Sequence, residues 1–330
     1  MLNEKEKVVI TSTKALLIIM VIISHCFSYY GRTTDLSSAE WGMQYLLYAT
    51  HVPIFILLAG FLCHKQSVIP YLNKKLHRIL IPFMFFSGLK CVYTVLAGDP
   101  HVDSGGGILY EAFIIGQTYW FGYAIFMMFL IAPLIWSDKD CNVIPKKAIV
   151  LLVCLLLFNV VYSGLNKAFL PKVFQIESTV IYLPYFLEGL IGRQYYADAK
   201  NYYIAKKKWI LSVSVALIVV SLVLYYTDNR FNEFIIKFIT AIAALPLIFE
   251  IARLIPLGLI KTVGIIGSYS WQLMLLDGFY RVILFSAVSR LFTLNSGLVW
   301  VIVCLDIALG VMTCKIVKRI PGLRFLFGLQ

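Results

Sequence analysis

The chain has 330 residues, of which 60% are hydrophobic and 14% are charged, with a formal net charge of +12. With a mean hydropathy of +0.84 it is too apolar and too poor in charge for a soluble domain, so we predict a polytopic membrane protein. The excess of positive charge indicates a nucleic-acid partner only if the basic residues are not explained by membrane topology.

Windows of about 20 apolar residues predict ten membrane-spanning helices. In chain order they cover residues 9–29, 43–63, 79–97, 118–136, 147–163, 178–193, 208–226, 235–253, 263–286 and 297–316. The first apolar run is long and has no small-residue cleavage pattern, so we predict an uncleaved span and not a signal peptide. We expect an all-α helix bundle formed by one membrane-embedded domain over residues 1–330, with its core at about 8–318 and no soluble accessory domain.

Lysine and arginine residues concentrate in alternate connections between these spans. The two termini and the even-numbered connections hold most of them, including Lys74, Lys75 and the run of Lys206, Lys207 and Lys208. The positive-inside rule therefore predicts that both termini lie on the cytoplasmic side of the cell membrane. This distribution explains the net charge through contact with the lipid bilayer, without a nucleic-acid partner.

The first predicted span places Lys14 and His25 eleven residues apart. At roughly 100° per residue, eleven steps return to within about 20° of the starting azimuth, so the two residues share one helix face about 16 Å apart along the axis. Ionisable residues inside a span usually face the bundle interior or a wet cavity. The alternative is that Lys14 extends to the headgroups and His25 caps a helix contact.

Further ionisable residues fall inside predicted spans: His51, Lys90, Glu188, Asp277, Arg281 and Asp306. Counted from the cytoplasmic ends, His25, His51 and Asp277 lie roughly 18 to 24 Å up, whereas Lys14 lies only about 8 Å up. Two histidines and a carboxylate at one depth form a candidate catalytic cluster, in which a neutral histidine accepts a hydroxyl proton. The alternative is a set of interhelical hydrogen bonds. For Lys90 and Asp306 we favour a structural role in a buried ion pair.

The entry to the third span, residues 71–82, is basic and amphipathic. It serves either topology and headgroup binding or the binding of a phosphorylated cytoplasmic donor, with Arg78 as the bidentate ligand. The seven cysteines lie singly and form neither a CxxC motif nor metal-ligand spacing, so we expect no metal.

Several stretches, in this order along nearly the whole chain, resemble the acyltransferase 3 family of integral membrane acyltransferases. They are the pair Lys14 and His25, HVPIFILLAGFL (51–62), KKLHRILIP (74–82), TYWFGYAIFMMFLIAPLIW (118–136), YFLEGLIG (185–192) and IGSYSWQLMLLD (266–277).

Members of that family typically move an acetyl or similar acyl group from a cytoplasmic acyl-CoA to a hydroxyl of a cell-surface glycan, glycolipid or small molecule. The resemblance implies that Lys14 and Arg78 bind acetyl-CoA or another acyl-CoA and that His25 is the essential histidine. Our leading hypothesis is an O-acyltransferase in which His25 is the general base and His51 or Asp277 tunes it. The expected partners are a cell-surface or lipid-linked saccharide acceptor and envelope-polysaccharide assembly proteins.

Two positions depart from the family pattern. Thr11 stands where members often have an acidic residue, and Asp277 stands where the late segment usually ends in histidine. Two alternatives stay open. One is a transporter or flippase of a glycan or lipid-linked intermediate, with Lys14, Glu188 and the histidines along its pathway. The other is a non-catalytic partner in polysaccharide assembly.

Overall fold

The protein is described by a computed structural model that covers residues 2–64, 66–97, 107–135, 146–165, 169–227 and 232–329. Within these ranges the structure consists of helices and connections, without β-strands. Eight helical segments there are long and apolar enough to cross a membrane. The predicted all-α membrane bundle is confirmed, while the count of ten spans and the side of the termini remain predictions.

The helices are, in chain order, α1 (Glu4–Tyr30), α2 (Ser38–Leu62), α3 (Val68–Lys75), α4 (Ile81–Ala97), α5 (Ile108–Tyr110), α6 (Trp120–Ile135), α7 (Lys146–Gly164), α8 (Ile176–Gln194), α9 (Tyr196–Tyr226), α10 (Glu233–Arg253), α11 (Leu257–Ser268), α12 (Ser270–Leu291), α13 (Ser296–Val317) and α14 (Pro321–Leu326). A π-helical turn, Leu76–Leu80, joins α3 to α4, and a second, Glu111–Ile115, follows α5.

The ninth and the third predicted spans differ from the structure, the ninth in its continuity and the third in where it begins. The ninth, 263–286, is interrupted at Tyr269, whose φ of −100° and ψ of 11° separate α11 from α12. The third begins well before residue 79, because the chain is already helical from Val68 and passes through the π turn. Hydropathy does not reveal either feature, because both lie among residues that are apolar or compatible with a helix. The predicted end of the fourth span, residue 136, lies outside the described residues.

The chain groups into two compact units. The first comprises Met1–Phe55 and Asn201–Ile316, and the second comprises Ile56–Lys200 and Val317–Gln330.

In the first unit, α1 packs against α10, α11 and α12. Buried apolar residues of α1, including Ile18, Ile22 and Phe27, form one core cluster with Leu273 of α12 and Ile302 of α13. Close packing of α11 on α1 depends on a small residue, because a methyl group at Gly267 would overlap the backbone carbonyl of Thr11. Small residues at helix contacts allow such close backbone approach.

In the second unit, α8 packs against α6 and α7, and α3 and the π turn 76–80 pack against α6. Its core is aromatic. Phe129 of α6 lies edge-on to Phe186 of α8 with ring centroids 5.5 Å apart, and Tyr71 of α3 lies edge-on to Phe129 at 6.3 Å. These contacts fix the basic entry segment against the bundle.

Candidate functional site

The site is organised by α1. Asn3 caps this helix, with its side chain accepting from the backbone N–H of Glu6 at 2.9 Å and the Glu6 carboxylate accepting from Asn3 N–H at 2.8 Å. This capping box satisfies two of the N–H groups that a helix start leaves free. The helix then runs without interruption to Tyr30. Lys14 and His25 therefore belong to one continuous helix, as the sequence predicted.

The structure brings His25 and Asp277 together. Nδ1 of His25 lies 2.7 Å from Oδ2 of Asp277, which joins α1 to α12. Because an ionised carboxylate can only accept, Nδ1 carries the proton and Nε2 is left as the basic nitrogen. The His25 side chain is 32% exposed, whereas the Asp277 side chain is 2% exposed. The base is thus accessible and the carboxylate that orients it is buried.

Asp277 has further neighbours that the predicted site did not include. Arg281, one turn later on α12, donates from Nη1 to the same Oδ2 at 3.1 Å. Asp306 of α13 is 1% exposed, and its carboxyl group interacts with that of Asp277. The Arg281 guanidinium and the Asp306 carboxyl group therefore both interact with the buried carboxylate of Asp277. Asp306 belongs to this cluster, not to a separate structural pair.

The same cluster contains three side chains whose spacing could suit a metal ion. Sγ of Cys26 and carboxylate oxygens of Asp277 and Asp306 lie within 4.8 Å of one another. Arg281, however, already supplies positive charge to Asp277, and a cation placed beside a guanidinium would be repelled. We therefore assign these side chains to an internal ion-pair cluster.

His51 lies near the site but is not part of the His25–Asp277 contact. It is 1% exposed on α2, and its Nδ1 donates to the backbone carbonyl of Leu47 one turn earlier. This bond leaves Nε2 of His51 as an acceptor. The ring is close enough to His25 for the two side chains to interact electrostatically. Of the predicted trio, His25 and Asp277 are in direct contact and His51 is a neighbour.

Lys14 is partly buried on α1, three residues after Thr11. Its ammonium group has neither an ion pair nor a hydrogen bond to any residue in the described part of the chain. Burial of a cation in a membrane segment is costly unless an anion accompanies it. Lys14 is thus a candidate position for binding an anionic ligand.

The remaining predicted residues lie in the second unit. Arg78 is partly buried in the π turn Leu76–Leu80, and no carboxylate among the residues that the structure describes pairs with it. Lys75, three residues earlier, places its ammonium 3.4 Å from the ring centroid of Phe129. Glu188 of α8 has a buried Oε2 with no hydrogen-bond partner among the residues that the structure describes.

Arg281 and Asp306 were missed as site residues, although both were recognised as ionisable positions inside spans. A signal existed for Arg281, because Asp277 and Arg281 have the i,i+4 spacing at which helix side chains pair. Asp306 gave no such signal, since its partner lies on another helix.

A family model described as an acyltransferase domain, Acyl_transf_3, matches residues 9–314, which is most of the chain. No curated protein and no solved structure matches.

Proposed function

Because the chain belongs to the acyltransferase 3 family, and is therefore a membrane acyltransferase, we propose that it transfers an acetyl or other short acyl group from cytoplasmic acyl-CoA to a hydroxyl of a cell-surface saccharide or polysaccharide precursor. The observation that carries this proposal is the contact of 2.7 Å between His25 Nδ1 and the buried carboxylate of Asp277.

In this mechanism His25 is the general base. Nε2 takes the proton from the acceptor hydroxyl as its oxygen attacks the thioester carbonyl, and Asp277 stabilises the imidazolium that forms. The C–S bond breaks as the C–O bond forms, and the proton on His25 passes to the departing thiolate. The products are the O-acyl ester and free CoA, so no additional reactant is required.

Lys14 and Arg78 are proposed to bind phosphate groups of the donor. Each is a partly buried cation with no carboxylate partner within the described ranges, which suits a ligand that brings its own negative charge. Lys14 lies on the same helix as His25, eleven residues nearer the start of the chain. The pantetheine arm of acyl-CoA is thin. It would allow the phosphates to bind at Lys14 while the thioester extends toward His25.

The test is transfer of radiolabelled acetyl from acetyl-CoA, in membranes that contain the protein, to an envelope-glycan fraction. We expect His25→Ala to abolish labelling while the protein still inserts, because the base is removed. The matched control is His64→Ala, since His64 is exposed in the connection after α2 and should be dispensable.

Labelled glycan that depends on His25 and not on His64 would support the proposal. Full activity of His25→Ala would exclude the assigned role. An intact protein that moves a saccharide across the membrane and releases no CoA would instead indicate a transporter.

A further inference from the structure

The segment 321–329 packs on the π turn that carries Arg78. Phe327, only 7% exposed, lies with its ring centroid 4.9 Å from that of Phe86 and 6.1 Å from that of Phe85. Phe325 lies edge-on to His77, the neighbour of Arg78, at 5.4 Å. Two aromatic side chains of the segment therefore hold both the π turn and the start of α4.

Gly328 approaches the π turn and the start of α4 closely. A methyl group there would lie 2.8 Å from Cγ of Pro82, 2.9 Å from the backbone carbonyl oxygen of Arg78 and 3.3 Å from the Cα of Arg78. All three distances are shorter than ordinary van der Waals contact, and the two to Arg78 are to its backbone. The backbone of segment 321–329 thus rests directly on the backbone of Arg78, and only glycine fits.

Backbone hydrogen bonds also define the conformation of this segment. Leu329 N–H donates to the carbonyl of Arg324 at 3.0 Å, and Gly328 N–H donates to that of Phe325 at 3.0 Å. With Gly328 at a φ of +64°, these two bonds form a Schellman motif, which ends α14 in a defined conformation. Gly328 and Leu329 are thus held in place by backbone hydrogen bonds to α14.

The π turn that this segment contacts has an uncommon backbone conformation, which packing against the segment would stabilise. The π turn Leu76–Leu80 uses i→i+5 hydrogen bonds, a conformation that is rare and that appears mostly as single turns, frequently at functional sites. Arg78 is central in it and has no carboxylate partner among the described residues to fix its position.

From these contacts we propose that segment 321–329 is a positioning element for Arg78, and that it determines affinity for the phosphate-bearing acyl donor without taking part in the chemistry. This inference rests on the donor-binding role proposed above for Arg78. Gly328 and Phe327 act through Arg78 and do not contact the reacting atoms.

The first arm of the test measures acetyl transfer against acetyl-CoA concentration for Gly328→Ala. We expect KM for acetyl-CoA to rise at least about tenfold, the loss expected when a charge-assisted hydrogen bond is weakened, with kcat largely kept. Phe327→Ala should act in the same direction. In an Arg78→Ala background Gly328→Ala should add little further effect, because a positioning residue has nothing left to position.

The matched control is Gly107→Ala. Gly107 also has a positive φ, of +77°, but a methyl group there would meet no atom of the described residues within 4 Å. Gly107→Ala therefore introduces backbone strain without displacing a neighbour, and it should leave KM for acetyl-CoA unchanged. An equal rise in KM for both variants would overturn the proposal, as would a Gly328→Ala effect that persists undiminished without Arg78.

The second arm does not depend on activity. Limited trypsin digestion of the detergent-purified protein, followed by mass spectrometry, measures cleavage after Arg78 relative to cleavage after Lys200. Gly328→Ala should increase this ratio several-fold over wild type and Gly107→Ala. An unchanged ratio would overturn the proposal. If the wild-type protein transferred no acyl group from acyl-CoA, the proposed function would fail, yet this arm would still decide whether the segment holds the Arg78 turn.

Discussion

His25 is held through one ring nitrogen, and its side chain is only partly exposed. Asp277 binds Nδ1, and Arg281 in turn binds the same carboxylate oxygen, so the orienting group is itself fixed. Hydrogen bonds from neighbouring side chains of this kind keep a catalytic side chain in one geometry. The base therefore needs no movement of its own before it can accept a proton.

At the scale of single residues, Asp277→Asn removes the negative charge of the carboxylate and keeps the shape of the side chain. The amide retains the volume and an acceptor for Nδ1–H but cannot stabilise an imidazolium, so we expect kcat for acyl transfer to fall about 100-fold or more. Steady-state kinetics on protein adjusted to equal amounts in the membrane measures this.

Asp306→Asn is the control for Asp277→Asn, because it alters a buried carboxyl group of the same cluster that makes no hydrogen bond to His25. A smaller loss is expected from it. Equal losses from the two variants would mean that the total charge of the cluster matters and the Nδ1 contact does not.

The common height of His25 and Asp277 was predictable from the sequence, whereas their direct contact was not. A rise of about 1.5 Å per residue places His25 and Asp277 at a common height from sequence position alone. Their contact requires α12 to lie beside α1, and nothing in an apolar sequence specifies which spans are neighbours. Asp306 shows the same limit, since its place in the cluster depends on the packing of α13.

At the scale of elements, α11 contacts α1 closely at Thr11, which lies three residues before Lys14. We expect Gly267→Ala to lower the free energy of unfolding by about 1–3 kcal/mol, the usual cost of overpacking, because the added methyl group meets the Thr11 carbonyl. Thermal unfolding of the purified protein measures the change.

Gly264→Ala provides the comparison, since Gly264 lies on the same helix and the added methyl group would have no neighbour within 4 Å in the described part of the chain. That variant should be neutral or stabilised by up to about 1 kcal/mol through helix propensity. If both variants changed stability equally, the close approach of α11 to α1 would have no energetic importance.

The sequence located the helices well and their interruptions poorly. A span is defined by summed hydropathy, which is insensitive to one residue. The break at Tyr269 and the π turn around Arg78 are local changes of backbone hydrogen bonding within helical segments. Both occur close to proposed functional residues, which is where departures from regular structure are expected.

At the scale of the whole molecule, the uneven distribution of basic residues makes topology testable. Thr34 precedes α2 and Ser67 precedes α3, and both are exposed. We expect Thr34→Cys to react with a membrane-impermeant maleimide in intact cells, and Ser67→Cys to react only after the membrane is permeabilised. Labelling is measured as the increase over the unsubstituted chain, which has seven cysteines of its own. Reaction of both positions from outside would contradict cytoplasmic termini.

Because α1 is one continuous helix, the number of residues between two of its side chains fixes their relative position. Between Lys14 and His25 the number of residues sets two quantities at once, the height of the base and the direction in which it points. One inserted residue would raise the base by only about 1.5 Å but turn it by about 100°. Inserting or deleting one residue in this stretch would therefore separate the imidazole from its carboxylate, even if every apolar side chain were kept.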